Sequence, residues 1–278
     1  MRNVRLRGLN LSDIPSKTNT LMTITHSHKA FTLIELLVVI SIIALLMAIL
    51  MPALSRAKDE TKAVICLSNL HQWGLIFHFY TSDYRGLFPA NAGGSQNWVG
   101  LCPKYVTNMK IWLCPKAKKT QAQGARQPFV AHEHWLGING SYGLNDWVLS
   151  TWPGISEEDQ RILWTTPNVR GAARAPMFLD SSIMYLANPR ETNPPPAYEG
   201  DVVYATGSAS GEMKRFCVNR HNEHSNAVFL DFAAARLGLK QLWTLKWHRQ
   251  FDTGGPWTTA GGATPDDWPH WMRNMKDY

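Results

Sequence analysis

The chain has 278 residues, of which 45% are hydrophobic, and its 28 basic and 21 acidic residues give a formal net charge of +7. Five of the basic residues and one acidic residue lie in the first thirty positions, so that segment carries +4 and the rest of the chain only +3. A basic excess confined to one short segment is weak support for nucleic-acid binding, and we expect no nucleic-acid partner.

The first predicted element is a membrane-spanning helix, because nineteen uncharged residues run from Leu36 to Leu54 and a span needs roughly twenty. The basic segment before it keeps the amino terminus in the cytoplasm by the positive-inside rule, so the rest of the chain lies on the far side. Glu35 directly precedes this run, and a charge within a membrane helix costs about 3 kcal/mol unless it is neutralised. A plain signal anchor or a cleaved secretory signal would have no use for this carboxylate.

The string KAFTLIE at residues 29–35 resembles the processing site of type IV prepilins, the family of type IV pilins and type II secretion pseudopilins. The resemblance implies that prepilin peptidase cuts between Ala30 and Phe31 and methylates the new amino group of Phe31. It also implies that Glu35 acts in filament assembly. Ala30 stands where the family usually has glycine. The leader is then residues 1–30, or a shorter leader that begins at Met22.

The same resemblance implies a structural subunit of a pseudopilus or pilus-like filament, without enzymatic activity. Its expected partners are prepilin peptidase, other pilin or pseudopilin subunits and the inner-membrane assembly machinery. The expected location is the inner (cytoplasmic) membrane, crossed once, with the amino terminus in the cytoplasm and a periplasmic or other extracytoplasmic head.

The helix is predicted to continue beyond the membrane, with residues 31–54 as its transmembrane half and residues 55–86 as its amphipathic half. Pro52 removes a backbone hydrogen bond inside it and predicts a kink near residues 49–52. Apolar side chains then recur every three or four positions, which indicates one buried face. This stripe consists of Ala63, Cys66, Leu70, Trp73, Phe77 and Tyr80.

Residues 87–278 are long enough for one globular head with its own core. Candidate strands lie at 175–180, 201–205 and 227–233, with a weaker one at 110–113, and loops rich in proline or glycine lie at 188–200 and 253–267. With the resemblance, this predicts an α+β, pilin-like fold in which the long helix packs on an antiparallel β-sheet head with long loops.

His221 and Asp231 have the spacing of the H-x9-D-G signature found in one subgroup of prepilin-like proteins, although Phe232 replaces the glycine. The favoured interpretation is structural, with both side chains hydrogen-bonding the ends of a hairpin. A metal site formed with Cys217 and His224 is the alternative, but an intervening strand would hold Asp231 about 20–25 Å from the histidines unless the chain turned back. No catalytic residue, cofactor or metal ligand is assigned.

Four cysteines, at positions 66, 102, 114 and 217, would face an oxidising compartment. The simplest local disulfide would join Cys102 to Cys114. Cys66 lies on the predicted buried stripe and is expected to be a small core residue. Two other functions stay open, a helix-anchored module that binds glycans or surfaces through its aromatic side chains, and a metal-binding envelope protein.

Overall fold

A computed structural model describes residues 32–90, 98–101, 104–134, 136–184, 187–201 and 212–278. The predicted leader, the cleavage site at Ala30 and Phe31, and Cys102 lie outside these ranges. Two compact units divide the chain between Met51 and Pro52. The long helix α1, Leu33–Asp83, contributes to both units. α1 is continuous through Pro52. Continuity is compatible with a straight or a bent helix, so the kink stays a prediction.

In the first unit, the described residues form the amino-terminal part of α1, and their apolar side chains are exposed. Exposure is 80% at Leu33 and 45% at Ile43. No residue is buried in the most apolar 18-residue window of the helix, which is long and apolar enough to cross a membrane. Among the described residues, nothing covers this surface.

The described strands of the second unit are β1 His132–Glu133, β2 Asn139–Gly140, β3 Tyr142–Leu144, β4 Pro176–Asp180, β5 His224–Phe229 and β6 Ala234–Gly238. Four of them form an antiparallel sheet in the order β3-β4-β5-β6. Asp180, at the end of β4, pairs with Tyr142 on β3, and Ala227 on β5 pairs with both Leu179 and Ala235. A separate two-stranded ribbon joins β1 to β2.

The carboxy-terminal part of α1 packs on this sheet with the face that the sequence predicts. All six residues of the predicted stripe are buried. The ring of Trp73 lies 4.8 Å from that of Phe178 on β4 and 4.7 Å from that of Trp112, centroid to centroid. Its indole nitrogen donates to the carbonyl of Ile111. The predicted α+β, pilin-like arrangement is therefore confirmed.

Short helices and turns make up much of the rest of the head. Besides α2, Trp98–Leu101, and α3, Glu157–Ile162, there are single 3-10 turns, including Met109–Trp112, Glu212–Arg215 and Lys240–Thr244. The carboxy-terminal tail folds back onto the core: Trp268 packs edge-on against Trp243, and the Lys240 ammonium lies 2.6 Å from the Asp277 carboxylate.

The predicted strands have mixed outcomes. The strand at 175–180 is confirmed as β4, whereas the one at 227–233 begins earlier, at His224, and ends at Phe229. The strand predicted at 110–113 is wrong, because Asn108 caps a 3-10 turn there by accepting from the amide of Lys110. Most of the segment 201–205 lies outside the described residues.

Candidate functional sites

The amino-terminal end of α1 has a capping box made by Thr32 and Glu35. The Glu35 carboxylate accepts hydrogen bonds from the backbone nitrogen of Thr32 at 2.9 Å and from its hydroxyl at 2.8 Å. In return, the Glu35 amide donates to the Thr32 hydroxyl at 3.2 Å. A T-x-x-E string at a helix start forms this arrangement because the first turn has unpaired backbone donors. This capping role is not among the roles predicted for Glu35 from the sequence.

A second site lies in the head, where two thiols, a carboxylate and an imidazole converge in the core. We call Cys66, Cys114, Asp180 and His221 the buried cluster. Their ligand atoms all lie within 4.8 Å of one another. Three of the four residues are fully buried and His221 is only 2% exposed.

Each member of the buried cluster comes from a different part of the chain. Cys66 projects from the buried face of α1, and Cys114 follows the 3-10 turn Met109–Trp112. Asp180 is the last residue of β4, and His221 precedes β5. The buried cluster is therefore a junction between the long helix and the sheet.

The contacts within the buried cluster are short and mutual. The Cys66 Sγ atom lies 3.4 and 3.6 Å from the two carboxylate oxygens of Asp180. The His221 Nε2 atom lies 3.3 Å from the Cys114 Sγ and 3.4 Å from the Asp180 Oδ2. The other ring nitrogen, Nδ1, has no hydrogen-bond partner among the described residues. The hydrogen bonds of the ring are thus directed into the cluster.

Arg220 lies against the buried cluster and is itself fully buried. Its guanidinium donates to four backbone carbonyls at 2.5–3.1 Å, and one of its nitrogens lies 3.6 Å from the Asp180 carboxylate. The accepting residues are Pro128, Val130, Ser141 and Ser181. A buried guanidinium needs such partners, because an isolated buried charge is costly. Arg220 therefore ties three loop segments together beside the cluster.

Protonation in the buried cluster is set by burial and by the mutual charges. Burial alone would raise the pKa of Asp180, but His221 and Arg220 hold it below its usual value. Burial alone would lower the pKa of His221, which the Asp180 carboxylate instead raises to about 9. Burial raises the pKa of Cys66, whereas hydrogen bonds from Cys66 and His221 overcome the effect of burial on Cys114 and lower its pKa to about 6.

The structure separates the residues of the H-x9-D pattern. His221 is in the buried cluster, whereas Asp231 is exposed in the turn between β5 and β6, where its carboxylate accepts from the amide of Ala233. Phe232 takes the glycine position of that turn with a φ of 65°. The turn therefore forms without glycine, in a backbone conformation that side chains disfavour.

The alternative metal set from the sequence does not converge. His224 starts β5, with its Nδ1 atom 2.6 Å from the carbonyl oxygen of Asn222, and neither it nor Cys217 or Asp231 belongs to the converging group. Cys114 is a free thiol facing His221, and Cys102 lies outside the described residues. The Cys102–Cys114 disulfide therefore stays a prediction, which the position of Cys114 does not favour.

Comparison with known protein families matches residues 25–51 to the prokaryotic N-terminal methylation motif. Comparisons with curated proteins and with solved structures found no match. The matched residues include the predicted cleavage site, Glu35 and the first half of the apolar helix. The motif and the long apolar helix together fit a prepilin-like protein.

Proposed function

We propose that this prepilin-like chain is a structural subunit of a type II secretion pseudopilus or a type IV pilus-like filament. Prepilin peptidase removes residues 1–30 and methylates the amino group of Phe31. The protein then resides in the inner membrane with its amino terminus in the cytoplasm and its head outside, until the assembly machinery adds it to the filament. Its role is in assembly and not in catalysis.

The observation that carries this proposal is the change in exposure along α1. From Leu33 to Leu54 its large apolar side chains are exposed, whereas the stripe from Ala63 onward is buried in the head. An exposed apolar surface of this length requires lipid or other apolar helices around it. A subunit that is first held in the membrane, and whose helix later packs among copies of itself in a filament, has this apolar surface covered in both places.

Glu35 has a defined place in this scheme. In the single chain its carboxylate bonds only to Thr32 among the described residues. Cleavage would create a positive amine at Phe31, one residue before Thr32. In a head-to-tail assembly the amine of one subunit pairs with Glu35 of its neighbour, which offsets the cost of burying both charges and fixes the axial register.

The test compares the two members of the capping box. Glu35→Val removes the carboxylate half of the cap together with the intersubunit partner, whereas Thr32→Val removes the hydroxyl half of the cap and keeps the Glu35 carboxylate. We expect Glu35→Val to insert and be cleaved normally but to be absent from sheared filaments, and Thr32→Val to assemble. If both variants assembled normally, the register role of Glu35 would be refuted. If both were equally absent from filaments, Glu35 would act only by capping the helix.

The alternative of a glycan-binding head has less support from the exposure of its tryptophans, although Tyr198 is exposed. Eight tryptophans are buried and Trp152, Trp257 and Trp271 are half-buried, while Trp135 lies outside the described residues. Sugar-stacking sites need an exposed aromatic face. In the part of the head that the structure describes, tryptophan mainly builds the core.

A further inference from the structure

We propose that the buried cluster is a structural Zn²⁺ site that fastens the amphipathic half of α1 to the sheet. Its ligands would be the two thiolates, the imidazole Nε2 atom and one carboxylate oxygen. The inference concerns the head alone and goes beyond the filament role proposed above.

Several of the ligand atoms already have the spacing of a tetrahedral site. Zn–S bonds of about 2.3 Å and Zn–N or Zn–O bonds of about 2.0–2.1 Å place neighbouring ligands of a tetrahedron about 3.3–3.8 Å apart. Three of the six separations within the cluster are 3.3 Å from Cys114 to His221, 3.4 Å from His221 to Asp180 and 3.4 Å from Cys66 to Asp180. The other ligand pairs lie within 4.8 Å, so side-chain shifts of about 1 Å or less would bring all four atoms to tetrahedral spacing.

The charges also balance. Zn²⁺ binds two thiolates and the neutral imidazole, and it displaces whatever protons the two thiols and the His221 ring carry beforehand, so the ion and these three ligands together are neutral. The Asp180 carboxylate is offset by the Arg220 guanidinium, whose nearest nitrogen lies 3.6 Å away. The site as a whole then carries no net charge, which is the condition for placing an ion among fully buried residues.

The ligand types select the metal and the role. Thiolate and imidazole favour zinc and disfavour Ca²⁺ and Mg²⁺, which prefer oxygen ligands. Four protein ligands close the coordination shell, as in structural zinc sites, and leave no open position for a substrate. His221 also borders a cavity of about 430 Å³, whose charged lining includes two acids, Asp59 and Glu60, and three bases, Arg56, Lys116 and Arg236.

The competing explanations are a metal-free hydrogen-bonded network and a disulfide between Cys66 and Cys114. The first experiment uses the full-length protein purified in detergent. Zinc is removed with a chelator, Zn²⁺ or Co²⁺ is added back, and free ion is dialysed away. We expect about one Zn²⁺ per chain, and a Co²⁺ form with the visible absorption and thiolate charge-transfer bands of tetrahedral sulfur ligation.

Matched cysteine variants locate the site. Cys66→Ala and Cys114→Ala remove ligands, whereas Cys217→Ala removes a buried thiol outside the cluster. We expect bound zinc to fall to less than about a tenth of the wild-type amount in the first two and to be unchanged in the third. Cys66→Ser and Asp180→Asn alter the same ligands with less change in side-chain volume. If every variant misfolds, the Co²⁺ spectrum of the wild-type protein tests whether the site binds a metal.

Two results would overturn the proposal. One is a wild-type protein that retains no Zn²⁺ and gives the spectrum of aqueous Co²⁺, which leaves only the hydrogen-bonded network. The other is a protein isolated with Cys66 and Cys114 joined, seen by peptide mass spectrometry without reduction. Failure of either kind leaves the filament proposal untouched, because that rests on residues 25–54.

Discussion

Replacing Arg220 by methionine should remove much of the stability of the head. The change takes the guanidinium donor from the buried carbonyls of Pro128, Val130 and Ser181. The Ser141 carbonyl still accepts from the amide of Ser181, and the Asp180 carboxylate loses Arg220 but keeps His221. Each unsatisfied buried acceptor costs about 1–3 kcal/mol, so the three together cost roughly 3–9 kcal/mol. A domain has only about 5–15 kcal/mol of stability to lose.

Tryptophan fluorescence during urea unfolding, with the full-length protein in detergent, measures this effect. All twelve tryptophans lie at or after position 73, so the signal reports the head and not the apolar segment. Arg220→Lys keeps the charge but its ammonium has three donors, so we expect an intermediate loss of about 2–4 kcal/mol.

The matched control is Arg161→Met. Arg161 is an exposed arginine that pairs with Glu157 at 3.5 Å within α3. We expect its replacement to lower the free energy of unfolding by less than about 0.5 kcal/mol. If Arg220→Met shifted the urea midpoint no more than this control, the guanidinium would not be holding the loops together, and the charge balance argued for the buried cluster would also fail.

Three further predictions concern the head and use the same unfolding assay. Gly74→Ala should destabilise by about 1–2 kcal/mol despite better helix propensity, because the added Cβ would lie 2.9 Å from the carbonyl oxygen of Phe232; equal or greater stability would contradict that close packing. Phe232→Gly should be about 1 kcal/mol more stable than Phe232→Ala, since both lose the ring but only alanine keeps the strained positive φ; the reverse order would refute the strain. Burial lowers the pKa of His248 to about 4, so the unfolded chain binds the extra proton and the free energy of unfolding should fall as pH drops from about 6.5 to 4. His248→Asn should make the free energy of unfolding less dependent on pH in this range. An unchanged dependence would contradict the role of His248.

The elements that local sequence could predict are those whose pattern repeats along one segment. The buried stripe of α1 follows from a spacing of three and four residues, and β4 from a short apolar run that ends at Asp180. The segment 110–113 was mispredicted as a strand because its apolar residues fit either structure, and the Asn108 side chain decides for a 3-10 turn.

The buried cluster could not be predicted, because its four residues are separated by tens of positions and meet only when the helix, a loop and two strand ends come together. Two local signals pointed toward it. Cys66 lies on the buried face of α1, and Asp180 is an acid that ends an apolar strand and so needs a partner. The spacing of His221 to Asp231 predicts a role at the end of a hairpin, but the partners of its ring are Cys114 and Asp180.

Mass spectrometry of the amino-terminal peptide of the protein isolated from its own membranes tests the central proposal most directly. If the chain is a processed filament subunit, the mature protein begins at Phe31 and its amine carries one methyl group. A mature protein that retains Ala30 and the residues before it would lack the amine that Glu35 is proposed to pair with, and would contradict the account.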